Sequence, residues 1–158
     1  MFNRIKKFYR LPRQEQILYL EAGFLTGVAR LAILSVPFKR LAPILGRSGG
    51  ESPYQMREAE LKTARTVGQT VRVMSRHTPW QSKCLVQAAT AQFMLRRRGI
   101  SATMYLGMAK NEDGKLIAHA WLRCGELIVT GGTELKSYAI VGQFASSPPP
   151  LLAGATQG

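Results

Sequence analysis

Pro79-Trp80-Gln81-Ser82-Lys83-Cys84-Leu85 reads as a turn that hands over to a helix, and His119-Ala120-Trp121 follows it inside a segment with strand-like alternation. A thiol at a helix start followed by an imidazole on a strand is the order in which a cysteine nucleophile and its base occur. Helical patterning before and around Cys84, and strand patterning after it, predict an α+β fold.

The helix that opens near Ser82 ends at Arg96-Arg97-Arg98-Gly99, where basic residues complement the negative helix end and the glycine can take the left-handed cap. Beyond it, Ser101 to Ala109 and Lys115 to Arg123 are strand candidates joined by the turn Asn111-Glu112-Asp113-Gly114. Cys124-Gly125 turns the chain into Leu127 to Thr130, and Tyr138 to Phe144 supplies a final strand. Upstream, a basic start (Arg4, Lys6, Lys7, Arg10) leads past Pro12 into a helix from about Arg13 to Val36. There Ile17, Leu20, Phe24, Leu31 and Leu34 recur at helical spacing. Pro37 ends it, Phe38 to Leu45 suits a short helix, and Gly46 to Gly50 reads as a flexible loop. Ser52-Pro53 has the form of an N-cap and first helical position for a second long helix to about Arg76. Its stripe is Leu61, Ala64, Val67, Val71 and Met74, and Arg57, Arg65, Arg72 and Arg76 form a solvated face.

One domain is expected over residues 1–144, with a helical part at 1–78 and a Cys-His core at 79–144, because 158 residues suffice for one core. The Pro- and Ser-rich segment 145–158 is expected to be disordered. Lys and Arg total 22 against 9 Asp and Glu, a net charge of +13, so anionic partners are favoured. Aromatic residues are few at 8% and are not interleaved with the basic ones, which argues against nucleic acid. With two cysteines and no signal peptide, a reducing, cytoplasmic setting is expected, without a disulfide. The Cys and His residues lack metal-ligand spacing, so neither metal nor other cofactor is expected. Glu21 and Arg30 interrupt the apolar stretch from Gln16 to Val36, which favours a packed or membrane-surface helix over a transmembrane span.

At the start of its helix Cys84 meets unpaired backbone N–H groups and the helix dipole, which favour a thiolate and can hold an oxyanion. The competing reading is a small buried core residue. For His119 the third partner is the open question. The chain's one aspartate, Asp113, lies roughly 20 Å away along the strand at about 3.3 Å per residue. If Cys124-Gly125 is a two-residue loop, Arg123 pairs with Glu126 and Thr130 falls across from His119, making Thr130 the expected hydrogen-bonding partner. Glu134 can serve only if its loop folds back.

Taken together, Pro79-Trp80 to Cys84-Leu85, Arg97-Arg98-Gly99-Ile100, Leu106-Gly107, His119-Ala120-Trp121-Leu122 and Thr130-Gly131-Gly132 resemble the B2 leader peptidases of lasso peptide biosynthesis. These belong to the transglutaminase-like cysteine protease superfamily. The resemblance implies a transglutaminase/papain-like core that removes the leader from a ribosomally made precursor peptide, so that a cyclase can close the freed core. It makes Cys84 the nucleophile, His119 the base and Thr130 its helper in place of the family's usual aspartate, with Trp80, Gln81 and Trp121 as substrate contacts. The partners it implies are the precursor, a separate B1 leader-recognition protein and the cyclase. The alternative is a catalytically weak basic scaffold or a nucleic-acid- or peptide-binding module.

Overall fold

Three helices precede the first strand: α1 (Phe2–Tyr9), α2 (Arg13–Ser35) and α3 (Phe38–Leu45). The computed structural model describes residues 2–79, 83–133 and 135–147, with side chains described from Lys6 onward. After the two-residue strand β1 (Arg47–Ser48) come α4 (Glu58–Ser75) and α5 (Cys84–Arg97). Four further strands complete the chain: β2 (Ala102–Lys110), β3 (Leu116–Cys124), β4 (Leu127–Thr130) and β5 (Ala139–Ser146). They form one antiparallel sheet of order β1-β5-β2-β3-β4. A mixed helical and antiparallel-sheet chain was expected; α1 and β1 were not.

Core side chains come from one sheet face and the helices against it. Ala102, Met104, Ala120, Leu122, Cys124 and Phe144 meet Val67 and Val71 of α4 and Ala88, Ala91, Met94 and Leu95 of α5. Helix α5 lies on β2, β3 and β4, and α2 packs outside α4 and α5. Helix α2 turns Ala22 and Thr26 inward, both fully buried, while Ile17, Leu20, Phe24, Leu31 and Leu34 face outward. Glu21 ties α2 to the end of α5 through Arg97 (3.0 Å) and Arg98 (2.6 Å). Among the described residues α2 is the one helix long and apolar enough to cross a membrane by length and composition. Its packing on α4 and α5 and the pairing of Glu21 with Arg97 and Arg98 fit a helix that stays with the domain.

Local turn chemistry behaves as read. Gly99 ends α5 at φ 72°, with the Ile100 N–H donating to the Leu95 carbonyl at 3.0 Å. In the β2–β3 turn Asn111 accepts from Gly114 N–H through its carbonyl (2.9 Å) and from Lys115 N–H through its side chain (2.8 Å).

Three expectations are corrected. Helix α4 starts at Glu58 rather than Pro53, with Glu60 accepting the Arg57 backbone N–H at 3.0 Å. Ser52 is no cap: it is buried, and its N–H and hydroxyl both bond the Thr103 hydroxyl, at 2.8 and 2.7 Å. The last strand extends through Ala145 and Ser146, which pair with Thr103 and Ala102, so the expected tail begins no earlier than Ser147; residues 148–158 lie outside the described residues.

Candidate active site

Cys84 is the first residue of α5, with Lys83 at the N-cap and no acidic residue in the first turn. The expected cap, Ser82, lies outside the described residues, as do Trp80 and Gln81. The first intrahelical bond runs from Gln87 N–H to the Lys83 carbonyl at 3.1 Å. The N–H groups of Cys84, Leu85 and Val86 therefore have no intrahelical acceptor and gather positive partial charge around the thiol. Cys84 is half-buried and borders the core without being part of it.

The two thiols differ in burial. Cys124 at the end of β3 is fully buried, and its thiol is pushed up to about 11 by burial and by the charge of Glu60. Tyr105 is likewise raised, to about 12, by burial and by its hydrogen bond to Glu51. Both groups keep protons in the folded chain that the unfolded chain releases. Their stabilising effect is complete below the unfolded values and is lost as pH rises through the folded ones. We expect the urea midpoint to fall between about pH 9 and about pH 12, with a shallower fall in Cys124→Ala. An identical slope in the variant would remove the thiol from the alkaline transition.

His119 lies on β3 opposite Gly107, and Trp121 lies opposite Tyr105. Directly opposed residues share a face, so His119 and Trp121 look away from the core face of Ala120 and Leu122. On that side Trp121 stacks on Tyr105, ring centroids 5.5 Å apart, and the His119 ring lies 6.1 Å from Trp121 and 5.1 Å from Tyr138. Gly107 makes room for this: a Cβ there would come within 2.7 Å of the Trp121 ring and 2.8 Å of Tyr138 Cβ. Trp121, expected as a substrate contact, is buried and forms a wall behind His119.

His119 Nε2 is 2.8 Å from the Gly131 carbonyl oxygen. A carbonyl only accepts, so Nε2 carries the proton and, in the neutral ring, the lone pair sits on Nδ1. The orienting partner is thus a backbone oxygen. Gly131 holds φ 72°, and a Cβ there would lie 2.4 Å from the Ala120 carbonyl oxygen. A side chain would push this turn off β3 and take its carbonyl from the imidazole.

Thr130 is not that partner. The β3–β4 loop is Gly125-Glu126 rather than Cys124-Gly125, since Cys124 pairs with Leu127, and the register slips again between Leu122 and Arg123. Thr130 therefore stands across from Leu122, on the core side, buried, with its hydroxyl unpartnered. Thr130→Val should leave activity unchanged and raise stability by about 1 kcal/mol, because it replaces a buried unsatisfied hydroxyl with a methyl of similar shape. Urea melts check this, and a destabilised variant would show that the hydroxyl has a partner. Glu134 lies outside the described residues.

Cys84 opens α5, which packs on β3, whereas His119 alternates along β3 with the residues that face α5. No hydrogen bond joins the two side chains. Catalytic contacts are often long in unliganded enzymes and tighten only around substrate. The described residues hold no cluster of three or more metal-ligating side chains.

Sequence reading missed Arg123, which is buried and fixes the turn that sets this register. Its Nε donates to the Tyr105 hydroxyl (3.0 Å), Nη1 to the Gly125 carbonyl (2.7 Å) and Nη2 to the Ser52 carbonyl (3.0 Å). Its guanidinium lies 3.8 Å from the centre of the Tyr54 ring. An arginine on an alternating strand was the available signal.

Among known families, the model described as the transglutaminase-like superfamily matches residues 32–142, from the end of α2 into β5. That superfamily includes cysteine proteases. No curated protein and no solved structure matches the chain.

Proposed function

Because the chain belongs to the transglutaminase-like superfamily, we propose that it is a cysteine peptidase that removes the leader from a lasso precursor peptide in the cytoplasm, with a separate leader-recognition protein. The observations that support the reading are a half-buried cysteine at the first position of α5 and, on β3, a histidine whose tautomer is set by the Gly131 carbonyl. The motifs shared with the leader peptidases support the substrate, and the net charge of +13 supports an acidic peptide or partner.

In this mechanism His119 Nδ1 takes the proton from the Cys84 thiol, and the sulfur attacks the carbonyl that precedes the core. The N–H groups at the start of α5 hold the oxyanion. The imidazolium then protonates the departing core amine as the C–N bond breaks, leaving the leader as a thioester on Cys84. Water, deprotonated by the same Nδ1, releases the leader as a carboxylic acid and restores the thiol. Gly131 does no proton transfer; it fixes the ring so that Nδ1 is the basic nitrogen.

Mass spectrometry of a precursor incubated with this protein and a recognition partner tests the substrate. The expected products are leader and core, cut at their boundary. A precursor that stays intact while Cys84 is rapidly alkylated at neutral pH would point to another substrate. Slow alkylation as well would favour the scaffold reading.

A further inference from the structure

The outward face of α2 has no place in the chemistry above. Arg13, Ile17, Leu20, Phe24, Val28, Leu31 and Leu34 follow one another at steps of three and four along one side of the helix. Ile17, Leu20, Phe24, Leu31 and Leu34 are 63 to 71% exposed. From Ile17 to Leu34 the stripe runs about 26 Å at 1.5 Å per residue. It contains no carboxylate: Glu21 is turned toward Arg97 and Arg98, and Glu15 steps onto the opposite side. At Val28 the stripe opens into an apolar groove of about 240 Å³ between α2, α3 and α5, with Phe38, Ile44 and Phe93 partly exposed at its walls.

Basic residues stand at both ends of this surface. Lys6, Lys7, Arg10 and Arg13 precede or open α2, and Lys39 and Arg40 follow it, all of them at least partly exposed. A second copy of the chain is a poor occupant, since each copy carries +13. An apolar stripe with cationic ends is the anatomy of a helix lying in the plane of an anionic bilayer, its side chains among the acyl chains and its cations among the headgroups. Crossing the bilayer would strip Ala22 and Thr26 from α4 and α5, whereas lying on it leaves that packing in place.

We propose that the exposed face of α2, with the groove beside it, docks the protein onto an anionic membrane surface. This is independent of the peptidase reading and stands whether or not Cys84 cleaves a peptide.

The test is flotation with vesicles of phosphatidylglycerol mixed with phosphatidylcholine, and with phosphatidylcholine alone. The full chain should float with the anionic vesicles, bind the neutral ones much more weakly and be partly released by salt. Phe24→Glu combined with Leu31→Glu alters only exposed side chains; it should lower the bound fraction at least about tenfold with an unchanged circular dichroism spectrum. Arg10→Gln with Arg13→Gln should weaken binding to anionic vesicles alone, a second reading should the first variant misfold. The proposal is overturned if the wild-type protein does not float, if both variants bind as it does, or if it sediments as a dimer that the Glu variant dissociates while neither binds vesicles.

Discussion

On the proposed function we expect Cys84→Ala to lose leader cleavage by roughly a thousandfold or more while keeping its melting curve, and His119→Ala to fall with it. The expected loss is large because in the proposed mechanism the thiol is the atom that bonds to the substrate; without it the N–H groups of α5 would have a carbonyl to polarise and nothing to attack it. The thiol of Cys84 is only half-buried and borders the core, so a methyl in its place leaves little cavity. In the same proposed mechanism His119→Ala removes the acceptor of the thiol proton and the donor to the leaving amine. Combining the substitutions should cost little more than either alone, as expected of groups that act as one unit. Cleavage within tenfold of wild type by Cys84→Ala would remove it as nucleophile.

Arg123→Met should destabilise the fold by about 3–5 kcal/mol, close to the whole stability of many domains this size. Arg123 joins three separate parts of the chain: the Ser52 carbonyl before α4, the Tyr105 hydroxyl on β2 and the Gly125 carbonyl in the β3–β4 turn. Methionine fills similar space but leaves two buried carbonyls without donors, and Tyr105 keeps only its bond to Glu51, at 2.7 Å. Arg123→Lys keeps the charge without the three-way fork and should fall between. Urea unfolding reads both. A loss under about 1 kcal/mol in the methionine variant would mean that the fork is dispensable.

How much of this could be read beforehand follows from what is local. The Asn111–Gly114 turn and the Gly99 cap were legible because each conformation is set by residues within a few positions. The β3–β4 register was not. Cys124-Gly125 and Gly125-Glu126 are equally good two-residue loops, and the choice rests on Arg123 and on Tyr54, Met56 and Leu61 from distant sequence, which crowd the place where a Cβ at position 125 would stand. Ser52-Pro53 carries the local signature of a helix start, yet Thr103, 51 residues away, claims its polar groups.

The candidate site divides the same way. Cys84 and His119 stand out as residue types in an order, whereas the group that orients His119 is a main-chain oxygen, for which no residue letter exists; only the glycine that delivers it leaves a trace. Which side of α2 packs was not legible for a related reason. Its leucines and phenylalanine were the conspicuous stripe, but the side that packs carries Ala22 and Thr26, small enough to let α4 and α5 approach closely.

In the proposed reaction Cys84 receives the leader's acyl group. Its most direct test is intact-mass analysis and peptide mapping after incubation with the recognition partner and a leader peptide bearing a chloromethyl ketone at the scissile position. One leader per chain, attached to Cys84, is expected, with labelling slowed in His119→Ala. An unlabelled chain, or a label on Cys124, would contradict it.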